Sequence, residues 1–313
     1  MTALDVGVVG FGEIAHYHIR HLRAAGAHVA GVITRRPTPP DLHRYASLAE
    51  LLPAVQAVTI AVPNHLHAAI CLQVVAARKA VFVEKPLCVT ARELTALEHA
   101  LSETPVPFRA GFRLRWNPAL RELHGRIVGA RRVCCVYRLG IERLAKNKDW
   151  TRRDAESGGS FFTLGVHALD LARWLVGASG EPLEDLRAWT GHADHAADFP
   201  LLAQLAGVLP GGTVIEAGAD LRGDAPFQLD LRIEAAEGRY PDPSLPEPGP
   251  ERDGAADVEY AAMMADFVRA AVAGDHDRDE CAGILQTHRI LLAAKAAARA
   301  DRALPQGAAR PGA

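Results

Sequence analysis

Val6-Gly7-Val8-Val9-Gly10-Phe11-Gly12-Glu13-Ile14-Ala15 opens the chain with an apolar run that turns through G-x-G-x-x-A. A strand that breaks at such a turn and continues as a helix is built to hold a dinucleotide pyrophosphate. Gly10 permits a tight turn without a Cβ, Gly12 lets the backbone approach the phosphates, and Ala15 is small enough for the helix to pack on its strand. Amides in the first helical turn lack partners inside the helix, so they and the positive end of the helix dipole point at the anion. Glycine turns are common. Here the apolar run before the motif and the amphipathic stretch from Glu13 to Ala25 after it supply the context.

The same alternation continues through about residue 115. Strands are expected at Leu4–Val9, Val29–Thr34, Ala57–Val62, Ala80–Val83 and Phe108–Gly111, each short and valine-rich, as strands buried on both faces should be. Two helices between them begin with capping-box spacings, Ser47 with Glu50 and Thr90 with Glu93. The stretch Arg36–Asp41 carries three prolines and reads as a loop. Strand–helix alternation predicts a parallel sheet with right-handed crossovers.

After Asn117 the pattern changes. A helix (about Pro118–Ile127) leads into a β-like run, Arg131–Leu139, and residues 159–176 read as one buried helix. Strand candidates follow at Leu186–Thr190, Leu201–Val208, Thr213–Ala219 and Phe227–Ala235. Residues 240–250 hold five prolines and read as a loop, and helices at about 257–273 and 280–300 close the chain before a flexible tail, about 305–313. The fold class expected is α/β. A dinucleotide-binding Rossmann domain occupies residues 1–116, and an α+β domain with a mostly antiparallel open sheet occupies residues 117–313.

Composition narrows the function classes. The chain has 313 residues, 49% hydrophobic and 23% charged, with a formal net charge of −2, so neither nucleic acid nor an anionic membrane is an expected partner. Five cysteines show no C-x-x-C spacing and read as reduced thiols. With no secretory leader and no run of 18 apolar residues, the protein is expected in the cytoplasm. His16, His18 and His21 share the first helix without a carboxylate among them, so no metal site is expected.

The second strand ends in Thr34-Arg35-Arg36, and Arg35 lies 23 residues beyond Gly12, where this fold presents a side chain to the adenosine ribose. An acid there would bond the ribose 2′-OH and repel a 2′-phosphate, whereas a guanidinium favours the phosphate. NADP(H) is therefore the expected cofactor, with NAD(H) as the alternative and a solvated basic turn as the bland reading. The third strand ends Ala61-Val62-Pro63-Asn64-His65-Leu66-His67, with Asn64 placed to cap a helix, and the fourth ends Val83-Glu84-Lys85-Pro86. Both sit at carboxyl ends of strands, where open α/β sheets bind ligands.

G-F-G-E-I-A, P-N-H-L-H and E-K-P, in this order, resemble the glucose–fructose oxidoreductase, inositol dehydrogenase and rhizopine-catabolism family (Gfo/Idh/MocA). Arg113-Leu114-Arg115-Trp116-Asn117-Pro118 resembles that family's junction between domains. Ser157-Gly158-Gly159, continuing to Gly165-Val166-His167-Ala168-Leu169-Asp170, resembles its glycine–histidine signature. The resemblance implies a nicotinamide-dependent oxidoreductase acting on a sugar, keto-sugar, nucleotide-sugar or cyclitol, assembled as a homodimer or homotetramer. It places Lys85 and His167 at the reacting centre. It also implies a cofactor shell of Gly10, Phe11, Gly12, Glu13, Ile14, Thr34, Arg35, Arg36, Ala61, Pro63, Asn64, His67, Glu84, Lys85, Arg113, Trp116 and Asn117.

One departure stands out. Where the family carries an aspartate four residues before the histidine, this chain has Thr163. A threonine neither takes a proton from imidazole nor carries charge. Three alternatives follow: Lys85 works alone with Thr163 on the substrate, another group such as Tyr137, Asp149 or Asp170 substitutes, or ordinary alcohol–ketone chemistry is lost. Asp170, three residues beyond His167, either orients the imidazole or belongs to a structural network. Trp150 sits within the basic group Lys146, Lys148, Arg152 and Arg153, which reads as an anion-holding substrate wall or as a solvated loop. An imine reductase of the same fold and a catalytically silent NADP-binding sensor are the rival functions.

Overall fold

The computed structural model describes residues 3–124, 127, 129–146, 148–191, 199–224, 226–235, 238–240 and 255–300. The first half alternates as expected: β1 (Asp5–Val9), α1 (Glu13–Ala24), β2 (His28–Ile33), β3 (Arg44–Tyr45), α2 (Leu48–Leu51), β4 (Ala57–Ile60), α3 (His67–Ala76), β5 (Ala80–Val83), α4 (Ala91–Glu103) and β6 (Phe108–Ala110). The six strands form one sheet in the order β3-β2-β1-β4-β5-β6, and every pairing is parallel. Successive side chains alternate between its two layers. Val9, Val58, Ile60 and Val81 join α2, α3 and α4, whereas Val6, Val8 and Phe82 join α1.

Local chemistry explains the boundaries. Thr90 and Glu93 form a reciprocal capping box at α4. Ser47 takes the Glu50 amide at 3.3 Å, but the Glu50 carboxylate takes the Ala46 amide at 3.0 Å, so that box is only half made. The short edge strand β3, which follows the proline-rich loop, escaped the sequence reading because two residues carry no periodicity.

The second half comprises α5 (Pro118–His124), β7 (Ala130–Arg138), α6 (Ile141–Leu144), α7 (Asp154–Ser157), α8 (Val166–Leu175), β8 (Glu184–Gly191), β9 (Leu202–Val208), β10 (Val214–Asp220), β11 (Gln228–Ala235), β12 (Gly238–Tyr240), α9 (Ala255–Ala273), α10 (Arg278–Ala297) and β13 (Arg299–Ala300). Its sheet runs β12-β11-β7-β10-β9-β8-β13 and is mostly antiparallel, with β7–β10 and β8–β13 parallel. Val133, Cys135, Ile215 and Ala217 face inward and pack with Leu169, Leu171 and Leu175 of α8. Cys134 and Cys135 do fall on opposite faces, and all five cysteines are free.

Two expectations need correction. Residues 159–176 are not one α-helix. Gly158 and Gly159 both have left-handed φ (+84° and +80°), so helical geometry begins only at Ser160, with a wide π-type turn over Phe161–Gly165 before α8. The last helix stops at Ala297, and the backbone then extends to pair with β8. Although α9 lies late in the chain, Tyr260, Met263, Met264 and Phe267 pack against Ala15, Ile19 and Leu22 of α1, covering the first sheet. The proline-rich stretch 241–250 and the tail 305–313 lie outside the described residues. Among the described residues no helix is long and apolar enough to cross a membrane.

Candidate active site

The turn after β1 fits a dinucleotide. Gly10 has φ +105°, and a Cβ there would meet the Ala61 carbonyl oxygen at 2.1 Å, so only glycine lets β1 and β4 close up. At Gly12 a Cβ would meet nothing within 4 Å, and no side chain caps the amides of α1. Open space in front of an uncapped helix N-terminus is what a pyrophosphate requires. Arg35 and Arg36 are exposed at the end of β2, and the Arg36 amide is held on Thr34 Oγ1 at 2.9 Å.

Lys85 stands just beyond β5. Its ammonium donates to the Thr163 carbonyl oxygen at 3.0 Å, across from the glycine signature. Burial, with help from Arg113 and Lys148 and against Glu84, brings its pKa down to about 8. Glu84 is not its ion-pair partner. That carboxylate turns through the sheet to His18 Nε2 at 3.0 Å, in space that exists because residue 111 is glycine.

Two buried histidines hold the residues after Lys85. His67 places its ring nitrogens 2.6 Å from the Pro86 oxygen and 2.8 Å from the Val62 oxygen, joining the exits of β5 and β4. His288, from α10, accepts the Leu87 amide on Nε2 and donates from Nδ1 to the Ile284 carbonyl, both at 2.8 Å. No sequence signal marked His288, which lies 201 residues from Leu87. His67 acts on the loops rather than presenting a ring nitrogen to the cofactor cleft.

Burial pushes His288 down to about pH 4. The unfolded chain protonates this group near its ordinary 6.5 and so binds more protons between those values. Stability is therefore expected to fall as pH drops from about 6.5 to 4, by about 3 kcal/mol from this group alone. Urea unfolding of wild type and His288→Gln at pH 7 and pH 5 measures it; the variant should lose less stability on acidification.

His167 lies near the start of α8, buried, with its ring stacked on Tyr137 at 5.5 Å and edge-on to Phe112 at 6.4 Å. Burial, then the charges of Lys85 and Arg113, hold its pKa well below 6.5, so the imidazole is neutral. The Thr163 hydroxyl donates to the Gly159 carbonyl at 3.1 Å, which leaves the residue's carbonyl, not its hydroxyl, as its contribution to the site. Asp170 does not orient His167. It takes a bidentate bond from buried Arg115 at 2.8 and 2.5 Å.

Asn64 is not a helix cap; its amide crosses to the Ser157 carbonyl at 2.8 Å and ties the β4 exit to the glycine signature. Asn117 caps α5 by accepting the Ala119 and Leu120 amides, and it donates to Glu259 at 2.9 Å. Arg113 donates to Glu259 at 2.5 Å and lies over the Phe227 ring at 5.9 Å. Trp116 lies under the Arg121 guanidinium at 5.0 Å, against α1 and α9. Trp150 is half-buried in the 3₁₀ turn Asp149–Arg152. Of the nearby basic group, Arg152 is bonded to Glu142 and Arg153 to Glu156. No His, Cys, Asp and Glu cluster among the described residues could hold a metal ion.

Comparison with known proteins agrees with this architecture. The model of the GFO/IDH/MocA oxidoreductase family, with an NAD-binding Rossmann fold, matches residues 4–112, and that of the GFO/IDH/MocA C-terminal domain matches residues 123–240. The scyllo-inositol 2-dehydrogenase (NAD(+)) of Bacillus subtilis strain 168 is 27% identical over 249 residues, covering 72% of this chain and 69% of that protein. An uncharacterised oxidoreductase of Synechocystis sp. is 30% identical over 253 residues, covering 75% and 67%. Among solved structures, GenD2 from gentamicin A biosynthesis, in complex with NAD, superposes with a TM-score of 0.80 at 22% identity over 95% of each chain. At that identity the likeness is one of fold.

Proposed function

The chain belongs to the GFO/IDH/MocA oxidoreductase family, and we propose that it is an NAD(P)-dependent dehydrogenase or reductase working at a carbinol or carbonyl carbon of a small polyol: a sugar, keto-sugar, nucleotide-sugar or cyclitol. One observation carries the reading. Buried Lys85, its pKa brought down to about 8, donates to the Thr163 carbonyl, four residues before a neutral His167 whose pKa the lysine's charge helps to lower. The bound dinucleotide supplies the hydride acceptor or donor. Lys85 takes the hydroxyl proton as a free amine in oxidation and returns it as an ammonium in reduction. Neutral His167 hydrogen-bonds the same oxygen or its neighbour and, stacked on Tyr137, presents one fixed edge to it.

Following nicotinamide absorbance with a panel of polyols, keto-sugars and imines tests this. Turnover on polyols or keto-sugars is the expected result. Turnover confined to imines would replace the reading with imine reduction, and cofactor binding without turnover would leave a silent binding protein.

Gly10, Gly12 and the uncapped α1 N-terminus would hold the diphosphate, and the end of β2 the adenosine ribose. The named cofactor of the similar proteins is NAD. In this chain Thr34-Arg35-Arg36 offers the ribose no acid, and two exposed guanidinium groups support acceptance of a 2′-phosphate. Arg35→Ala is expected to weaken NADPH binding about tenfold and NADH binding little, measured by fluorescence titration; an unchanged NADPH:NADH ratio would remove Arg35 from this role.

A homo-oligomer formed through the outer face of the second sheet completes the proposal. Arg132–Glu216, Arg138–Asp230 and Arg222–Asp220 pairs organise that face. Sedimentation of the purified chain tests it, a monomer at micromolar concentration being the adverse result.

A further inference from the structure

Two polar side chains interrupt the buried stripe of α10. Ile284, His288, Leu291 and Lys295 recur at helical spacing on one face, and the first three are fully buried. His288 and Lys295 stand about two turns apart, roughly 10 Å along the axis. Their targets are the two segments that bracket Lys85. His288 accepts the Leu87 amide at 2.8 Å, just beyond the lysine. The Lys295 ammonium donates to Asp154 Oδ2 at 2.7 Å and to the Gly158 carbonyl at 3.1 Å, in the segment whose Thr163 carbonyl receives Lys85 at 3.0 Å.

Few bonds separate Lys295 from that carbonyl. Gly158 and Gly159 have left-handed φ, and glycine loses more conformational freedom on ordering than any other residue. Bonds from outside must therefore hold the pair. Asp154 sits against Gly159, where a Cβ would meet its Oδ1 at 2.4 Å, and its carbonyl accepts the Gly158 amide at 2.8 Å. The Gly159 carbonyl accepts the Phe162 amide at 3.1 Å, the Thr163 amide at 3.0 Å and the Thr163 hydroxyl at 3.1 Å. Lys295 also lies 5.9 Å from the centre of the Phe162 ring. A shift of the Gly158 peptide thus passes to Thr163, and from Thr163 to the acceptor of Lys85.

We propose that Lys295 is a positioning residue: through Asp154 and Gly158 it fixes the Thr163 carbonyl that aims Lys85, while His288, on the same face of α10, fixes the strand exit that bears the lysine. The inference rests on the dehydrogenase reading above and adds to it the device that sets where the proton carrier stands. Lys295 itself carries no proton in the reaction. Placement of this kind matters because a displacement of about 1 Å can cost about 10²-fold in rate.

The Lys295 and Asp154 side chains are 34% and 32% exposed, so loss of the cation strands no buried charge and the variants should fold. The full chain is assayed saturated with NAD(H) or NADP(H), on the best polyol or keto-sugar of the panel. Lys295→Met should lower kcat more than about fivefold, with KM for substrate and cofactor within about threefold. Lys295→Arg, which keeps the cation, should restore kcat to within about threefold of wild type. In a Lys85→Ala background Lys295→Met should add less than about twofold, because it acts through the lysine. A smaller loss in Lys295→Met, a loss confined to KM, no recovery in Lys295→Arg, or the same factor with and without Lys85 overturns the proposal. The dehydrogenase reading fails separately, if Lys85→Ala keeps full turnover. In that case, or if no substrate turns over, the pH at which acetic anhydride half-labels Lys85, read by peptide mass, decides. Glu84, Arg113 and Lys148, whose charges act on Lys85, stay in place in the variant. A lysine released toward solvent regains the basicity that burial removed, so its midpoint should rise by about half a pH unit or more in Lys295→Met. An unchanged or lower midpoint overturns the proposal.

Discussion

Replacement of Lys85 by alanine is expected to lower turnover by about 10²–10⁴-fold, the usual worth of a positioned proton donor or acceptor, with little effect on cofactor affinity. An oxygen that gains or loses a proton as hydride moves needs a partner of matched pKa, and burial has moved this lysine from 10.5 to about 8. The direction with pH follows from which form is required. Oxidation uses the free amine, so its rate should rise as pH passes through about 8 and then level; reduction uses the ammonium and should fall over the same window. Lys85→Ala should flatten both profiles. Steady-state kinetics from pH 6 to pH 10 measures this, and a variant within threefold of wild type at every pH would exclude the lysine as the proton carrier. Neutral His167 should then show no acid limb of its own in this range, because its pKa lies well below 6.5.

Asp170→Ala is expected to cost about 3–5 kcal/mol of stability, the usual result of removing one partner from a buried ion pair. Asp170 is the bidentate acceptor of Arg115, and its Oδ1 lies 3.5 Å from the Thr287 hydroxyl, which in turn accepts from Arg173 Nη1 at 2.9 Å. Arg173 is fully buried, and burial lowers its pKa to about 10 even though Asp170 opposes this. Without Asp170 two buried guanidinium groups lose a shared counter-ion, and among the described residues only Glu280 remains on Arg115, at 2.7 Å. Denaturant unfolding measures the cost. An imidazole-orienting aspartate would behave otherwise, with normal stability and a loss confined to kcat. The network joins the 3₁₀ turn Arg113–Trp116 to α8 and α10, so the variant should also loosen the placement of His167 on α8.

Much of the fold was legible because its signals are local. The strands around Val8, Val58 and Val81 were read within a residue or two, since each is a short apolar run bounded by glycine, proline or a capping residue. Thr90 and Glu93 announced their helix by spacing alone. The wide turn over Phe161–Gly165 was missed although Gly158 and Gly159 precede it, because apolar residues run through it as they would through a helix. For the site, the motifs singled out Lys85 and His167 but could not say what their neighbours bond. Asn64 read as a cap and instead bonds Ser157, 93 residues away; of the two readings open for Asp170, the structural network is the one formed, with Arg115, 55 residues away.

The chain's own order of residues determined a dinucleotide-binding turn, the alternation that builds a parallel sheet around it, and a lysine at a strand's carboxyl end. These follow from backbone sterics and hydrophobic period, which act over a few residues. Only the tertiary structure decided that His288 and His67 grip the residues after that lysine, that Glu84 turns away from it, and that burial brings its proton within reach of neutral pH. Desolvation and long-range hydrogen bonds depend on which segments pack together, and no spacing along the chain records that.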